Sequence, residues 1–191
     1  MTAHEVGIDV SKWQVPEKLN WRKLREEAGV RFVIARHSYG LQADATFWRH
    51  GWRAMRAGGV KIGAYQYLLA NVPATAQVAL ALQVARELEM PFVLDVEAPG
   101  LTAKQIDMWL DSYTRTGLTP MIYCSQSSWR ECYGSGSHRW GHLPLWVANY
   151  TTRAEPAMPD GWTSWEIWQH TDKGTLPGYD GLIDCNRRKV T

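Results

Sequence analysis

The chain has 191 residues, a formal net charge of +2 at pH 7 and a hydrophobic fraction of 45%. This length and composition suit a single domain with a sizeable core. The small net charge argues against nucleic-acid binding, which normally needs a clustered basic face. The short basic cluster at residues 187–189 is interpreted as a solvated tail rather than a binding patch.

The N-terminal residues have neither the basic region nor the apolar region of a signal peptide, and no apolar run approaches the length of a membrane span. We therefore expect a protein made in the cytoplasm without a signal peptide and without stable membrane insertion. The three cysteines form no C-x-x-C pair and are predicted to be reduced thiols. At least half of the eleven tryptophans are expected to fill the core.

Strand-like runs alternate with helical patterns through the first two-thirds of the chain. Strands are predicted at residues 6–10, 32–35, 61–67, 92–96 and 120–124. Helices are predicted at residues 20–28, along Trp48, Trp52 and Met55, from about 78 to 89, behind a capping box at residues 102–105, and at 127–132. Repeated β–α units imply a parallel sheet with right-handed crossovers.

The pattern changes in the last third, where three strands are predicted at residues 145–148, 165–168 and 181–185. A turn rich in glycine and proline joins the last two strands, as in a hairpin. Eight strands can close into a small barrel filled by side chains. The fold class is therefore predicted to be α/β, an irregular TIM-like (β/α)5β3 barrel with about five helices. With no linker or repeat, residues 1–191 are predicted to form a single catalytic domain.

The predicted strand at residues 92–96 leads into two carboxylates, Asp95 and Glu97. Side chains at positions i and i+2 of a strand point to the same face, so these two acids should project together. Two adjacent acids cannot both ionise freely, and the pKa of Glu97 is predicted to rise because Asp95 lies on the same face and because aromatic rings reduce the solvation of Glu97. One protonated carboxyl beside an ionised one is the usual equipment for cleaving a glycosidic bond.

Other polar and aromatic residues are expected at the same rim, because active sites of parallel barrels lie at the carboxyl ends of the strands. The predicted binding residues there are Asp9, Tyr65, Tyr67, Tyr123, Trp146, Gln169, His170 and Asp184. Four acids at one rim are destabilising because like charges repel, and a purely structural barrel has no need of them. Their convergence therefore indicates a functional site. Tyr123→Phe and Trp146→Ala are expected to weaken sugar binding more than stability, and a core role for Trp146 stays open.

The strand ends together resemble the glycoside hydrolase family 25 lysozymes. The resemblance rests on five segments in the same order: Gly7-Ile-Asp-Val-Ser11, Gly63-Ala-Tyr-Gln-Tyr67, Phe92-Val-Leu-Asp-Val-Glu97, Leu145-Trp-Val-Ala-Asn-Tyr150 and Ile167-Trp-Gln-His170, with Ile183-Asp-Cys-Asn186 completing the set. These enzymes are N-acetylmuramidases of bacteria, fungi and phages, built on an irregular eight-stranded barrel. The segment Arg36-His-Ser-Tyr-Gly40 departs from the Lys-Ala-Thr-Glu-Gly that many relatives carry, so that side of the rim is expected to differ.

The resemblance implies a role for each matching residue. Glu97 would be the general acid and Asp95 its partner, which stabilises charge or orients the substrate's acetamido group. Asp9 and Asp184 would be the outer acids of the site. The implied reaction hydrolyses the β-1,4 bond between N-acetylmuramic acid and N-acetylglucosamine, with the acetamido group as nucleophile. Residue spacing alone leaves retaining and inverting routes open. No cofactor and no metal are expected.

The resemblance also implies a partner and a place of action. The partner would be bacterial peptidoglycan, and the protein is expected to be a monomer. A single catalytic domain without a signal peptide or wall-binding module fits a phage endolysin that acts on the wall after release, with an autolysin or effector as alternatives. Two rival functions stay open: an inactive barrel that binds cell-wall glycan, and a hydrolase of another N-acetylated glycan such as chitin.

Overall fold

The protein is described by a computed structural model that covers residues 3–136 and 138–190, without the side chains of residues 45–50. Trp48, predicted to lie on the apolar face of the second helix, therefore has a side chain outside the described residues. Within these ranges the chain forms nine strands and five α-helices.

The strands and helices follow one another in the order that the sequence predicts. The strands are β1 His4–Val10, β2 Val30–Tyr39, β3 Gln42–Ala43, β4 Lys61–Tyr67, β5 Val93–Asp95, β6 Met121–Ser125, β7 Leu145–Ala148, β8 Ile167–Gly174 and β9 Ile183–Lys189. The helices are α1 Trp21–Glu26, α2 Ala45–Gly58, α3 Ala74–Ala81, α4 Ala103–Thr114 and α5 Gln126–Tyr133. Short 3₁₀ turns lie at Pro16–Lys18 and Ala85–Glu87.

Eight of the strands close into a barrel, because β1 pairs with both β2 and β9. The pairs from β1 through β2, β4, β5, β6 and β7 to β8 are parallel, and the two pairs made by β9 are antiparallel. The five helices follow the first five barrel strands in turn. This arrangement confirms the predicted α/β barrel of type (β/α)5β3.

Local capping explains where several helices begin and end. The Asn20 side chain accepts a 3.1 Å hydrogen bond from the Lys23 amide at the start of α1. Thr102 and Gln105 form the reciprocal capping box of α4. Gly59 ends α2 with φ at +67°, a left-handed conformation that glycine adopts without strain.

Three elements differ from the prediction. The two-residue strand β3 pairs only with β2, outside the barrel, and was not predicted. The helix expected to continue to about residue 89 ends at Ala81, because the chain turns back and the Glu89 amide donates to the Ile62 carbonyl. The basic residues 187–189 belong to β9 rather than to a solvated tail, and Arg188 pairs with Glu5 and Glu166.

The core is divided between the inside and the outside of the barrel. Inside, Phe32, Ile34, Val93, Met121 and Ile167 pack together from four strands. Outside, separate apolar clusters join the sheet to the helices. The buried tryptophans are Trp21, Trp109, Trp129, Trp140, Trp146, Trp162, Trp165 and Trp168, in line with the expected core role. The three cysteines are unpaired thiols.

Candidate active site

A cleft of about 180 Å³ opens at the carboxyl ends of the barrel strands. Its walls are formed by Asp9, Tyr65, Asp95, Glu97, Tyr123, Trp146, Tyr150, Gln169 and Asp184. Eight of these nine residues were predicted as site residues from their positions at strand ends. The barrel brings them together because parallel strands deliver their carboxyl ends to one rim.

The acid pair follows β5, whose extended backbone continues beyond its last residue. The Asp95 carbonyl accepts from the Leu68 amide at 3.2 Å, and the Val96 amide donates to the Tyr123 carbonyl at 2.8 Å. This pairing on both sides keeps the backbone extended from Asp95 towards Glu97, so both acids line the same cleft.

The two acids of this pair differ in how far they are buried. Asp95 is 3% exposed, and Glu97 is exposed at the cleft mouth. Burial raises the pKa of Asp95 well above its usual range, and the charges of Glu97 and Asp9 raise it further. The pKa of Glu97 is also raised, by desolvation and then by the charge of Asp184. The sequence argument gave two causes for Glu97, the neighbouring Asp95 and reduced solvation. Desolvation does act on Glu97, but the repulsion within the pair acts mainly on Asp95, which has less water around it.

Asp9 and Asp184 form a second acid pair on the other side of the cleft. They are directly opposite each other in the antiparallel pair of β1 and β9. Burial raises the pKa of Asp9 to about 6 and that of Asp184 to about 8, and a side-chain hydrogen bond joins the two carboxyls. Two side-chain amides donate to Asp9 and favour its ionised form, so the proton that the two carboxyls share lies on Asp184.

Two amides hold Asp9 in place. Gln169 Nε2 donates to Asp9 Oδ2 at 2.9 Å, and Asn186 Nδ2 donates to the same oxygen at 2.8 Å. Gln169 Oε1 in turn accepts from the hydroxyls of Tyr123 at 2.8 Å and Tyr150 at 2.9 Å. These bonds favour the ionised form of Asp9 and fix the cleft wall from β1 to β9.

The second acid pair predicts a pH dependence of stability. Both folded pKa values lie above the ordinary aspartate value of 3.8, so the folded protein retains protons that the unfolded chain releases. The free energy of unfolding should therefore fall between about pH 4 and pH 8, by a few kcal/mol at order of magnitude. Urea unfolding at pH 5, 7 and 9 measures this, and Asp184→Asn should weaken the dependence. An equal pH dependence in both proteins would contradict the assignment.

The family model of Glycosyl hydrolases family 25 matches residues 8–179. The matched region includes the strand ends that carry both Asp95 and Glu97. The chain belongs to glycosyl hydrolases family 25. This membership confirms the family resemblance found in the sequence, and the chain is a glycoside hydrolase of the lysozyme class.

Individual relatives support the same family. The chain is 32% identical over 193 residues to the uncharacterized protein YegX of Escherichia coli O6:H1, covering 94% of this chain and 68% of YegX. It is 30% identical over 202 residues to Lysozyme M1 of Streptomyces globisporus, covering 95% of this chain and 66% of that protein. The crystal structure of a bacterial lysozyme from Streptomyces coelicolor superposes with a TM-score of 0.86 at 27% identity, covering 100% of this chain and 94% of that one.

Two predicted site residues lie outside the acid cleft of this family 25 chain. Tyr67 instead stacks on Tyr39, with ring centroids 4.7 Å apart. His170 packs edge-on against Trp168, with ring centroids 5.9 Å apart, and its pKa is lowered first by burial and then by the charge of Arg187. Their proposed contacts with substrate stay predictions.

Tyr150 is the lining residue that the site prediction omitted, although it ends one of the family segments. Its ring is 53% exposed, and its hydroxyl reaches Gln169 from a loop beyond β7. The Leu145–Tyr150 segment was a usable signal for this position. Asn186 carried a similar signal, because it lies two residues after Asp184 on the same strand.

Trp146 has a larger structural role than the sequence argument expected. It is 2% exposed, packs against Tyr123 with ring centroids 4.6 Å apart, and donates from Nε1 to Asn186 Oδ1 at 2.8 Å. Trp146→Ala should therefore lower the free energy of unfolding by about 3–5 kcal/mol, measured by urea unfolding. Tyr123→Phe is the milder comparison, because Tyr150 still donates to Gln169. A Trp146→Ala variant of unchanged stability would restore the purely sugar-binding interpretation.

Within the described parts of the chain, no group of three or more His, Cys, Asp or Glu side chains is placed to hold a metal ion. Over the same residues, no helix is both long enough and apolar enough to span a membrane.

Proposed function

We propose that this chain hydrolyses the β-1,4 bond between N-acetylmuramic acid and N-acetylglucosamine in peptidoglycan, with Glu97 as general acid and Asp95 assisting. The observation that carries the proposal is the convergence of Asp9, Asp95, Glu97 and Asp184 in one aromatic-walled cleft of a family 25 barrel. Such a cleft can bind uncharged sugar rings through aromatic faces and deliver a proton at the bond to be broken.

The position of Glu97 suits a proton donor. It is exposed at the mouth of the cleft, so a glycosidic oxygen can approach it directly. Its pKa is already raised by partial desolvation and by Asp184. A bound glycan displaces more water from around Glu97 and raises its pKa further. The N–H that the substrate donates to Asp95 stabilises the ionised form of Asp95, so in the complex the proton of the pair lies on Glu97.

The position of Asp95 suits a group that orients the substrate. Its Oδ1 atom is buried and has no hydrogen-bond partner among the described residues. A buried carboxyl oxygen without a partner costs free energy, and a donor supplied by the substrate would relieve this cost. The N–H of an acetamido group is such a donor, and its hydrogen bond to Asp95 would turn the acetamido oxygen towards the anomeric carbon.

In the proposed reaction, the acetamido oxygen attacks the anomeric carbon while the bond to the leaving oxygen breaks. Glu97 gives its proton to that oxygen, and the sugar is left as a cyclic oxazolinium ion whose N–H stays hydrogen-bonded to Asp95. Water then opens the ring, with the Glu97 carboxylate taking the proton from water. Two displacements at one carbon retain the β configuration. Proton NMR of the first product should show the β-anomer, and an initial α-anomer would exclude this route.

The substrate class is tested by parallel digestion of purified peptidoglycan and chitin. New reducing ends from peptidoglycan support the proposal. New ends from chitin alone would favour the alternative hydrolase, and new ends from neither would favour a barrel that only binds glycan. The expectations of a phage origin and a monomeric state are part of the same proposal.

A further inference from the structure

A second cleft of about 550 Å³ opens on the barrel, larger than the acid cleft of about 180 Å³. Its walls are formed by Lys12, Trp13, Arg36, Tyr39, Gln42, Ala43 and Asp44. These residues come from the segment after β1, the end of β2 and the β2–β3 hairpin. The second cleft therefore belongs to the same rim as Asp9, at the end of β1.

The charge of this second cleft is opposite to that of the acid cleft. Arg36 is buried and pairs with Asp44, whose Oδ2 accepts from Nε at 3.0 Å and from Nη2 at 2.9 Å. Lys12 makes no ion pair with a carboxylate in the described part of the chain, and its ammonium lies 4.8 Å from the Trp13 ring centroid. Lys12 thus leaves one net positive charge available to an anion.

The apolar surface of the second cleft is also unusually open. Trp13 is 73% exposed and Tyr39 is 44% exposed. Large aromatic rings seldom stand this open without a partner, and in ligand sites they cover apolar chains or flat groups. The second cleft therefore offers both a cation and two flat apolar faces.

A ring contact and an electrostatic interaction connect the second cleft to the acid cleft. Tyr39 stacks on Tyr67, with ring planes 15° apart, and the pKa of Tyr67 is raised first by burial and then by the charges of Glu97 and Asp95. Arg36 is close enough for its positive charge to oppose the raised pKa of Asp95. A substrate held at the acid pair therefore has the second cleft as its neighbour.

We propose that the second cleft binds the carboxylate-bearing peptide that branches from N-acetylmuramic acid, with Lys12 as its ion partner and Trp13 and Tyr39 packing along its side chains. The inference rests on the proposed function. The peptide is joined through the lactyl group of the same sugar whose glycosidic bond is cut, so it must leave the acid cleft on one side. It carries free carboxylates, which Lys12 attracts and the ionised acids of the acid cleft repel.

The test compares two substrates made from the same glycan strands. One keeps its peptides, and the other has lost them to an amidase that leaves the lactyl carboxylate in place. The measured quantity is the ratio of kcat/KM on peptide-bearing strands to kcat/KM on peptide-free strands. Lys12→Gln should lower this ratio about twofold to fivefold, as an exposed ion pair allows, and Trp13→Ala should lower it as well.

The control is Lys23→Gln, which removes the same charge from exposed α1, away from both clefts, and should keep the wild-type ratio. Equal losses on both substrates in the Lys12 and Trp13 variants would overturn the inference and make the second cleft a sugar site. Unchanged kinetics in both variants would overturn it too. If the wild-type protein cleaves neither substrate, the proposed function itself fails, and this inference fails with it.

Discussion

Replacing Glu97 by glutamine is expected to lower kcat/KM on peptidoglycan by about 10²–10⁴-fold, the usual contribution of a general acid. Glutamine has the same shape and cannot deliver a proton to the leaving oxygen. Glu97 lies at the exposed mouth of the cleft, and partial desolvation and the charge of Asp184 both oppose its ionisation. The negative charge therefore does not stabilise the fold, and its removal should not lower the melting temperature. The measurement is the initial rate of reducing-end release, with the melting temperature recorded on the same samples.

A substrate with a good leaving group separates acid catalysis from binding. A nitrophenyl glycoside needs no protonation of its leaving oxygen, so on such a substrate the Glu97→Gln variant should recover the rate of the first step, measured as nitrophenol release in the first turnover, to within about tenfold of the wild-type rate. Substantial activity of the variant on peptidoglycan would contradict the assignment and move the acid role to another carboxyl of the cleft.

Replacing Asp95 by asparagine is expected to lower activity by about 10²–10³-fold, the cost of removing one pre-positioned electrostatic group. The amide cannot assist through negative charge, and it presents a different pattern of donors and acceptors to the acetamido group. The free energy of unfolding, in contrast, should stay the same or rise in this variant. The fold opposes ionisation of the buried carboxyl, so its pKa is raised, and stability falls as pH rises through that range.

The Asp95→Asn variant should therefore melt at the same temperature as the wild-type protein or higher at neutral pH. Asp180→Asn, an exposed substitution outside both clefts, is the matched control and should change neither quantity. A large loss of stability in Asp95→Asn would mean that the carboxylate supports the fold, and its catalytic role would need other evidence.

Much of the fold and of the cleft was predictable because both depend on local patterns. Side chains alternate between the two faces of an extended chain, which places Asp95 and Glu97 on one face. Parallel strands then bring their carboxyl ends together at one rim. Capping at Thr102 and Gln105 is likewise encoded within four residues. These features need no knowledge of distant parts of the chain.

The remaining features depend on contacts between distant residues. Burial decides which acid of the pair has the more strongly raised pKa. The spacing of the two residues could not reveal that Asp95 is buried while Glu97 is exposed. The proton shared by Asp9 and Asp184 requires β1 and β9 to be neighbours. The second cleft depends on the unpredicted strand β3, whose hairpin carries Gln42 beside Lys12.

The most direct test of the central claim is mass spectrometry of borohydride-reduced fragments from purified peptidoglycan, digested by the wild-type protein and by Glu97→Gln side by side. The proposed function predicts new fragments that end in reduced N-acetylmuramic acid, released by the wild-type protein and nearly absent with the variant. Fragments that end in reduced N-acetylglucosamine, or equal release by both proteins, would contradict an N-acetylmuramidase that uses Glu97 as its acid.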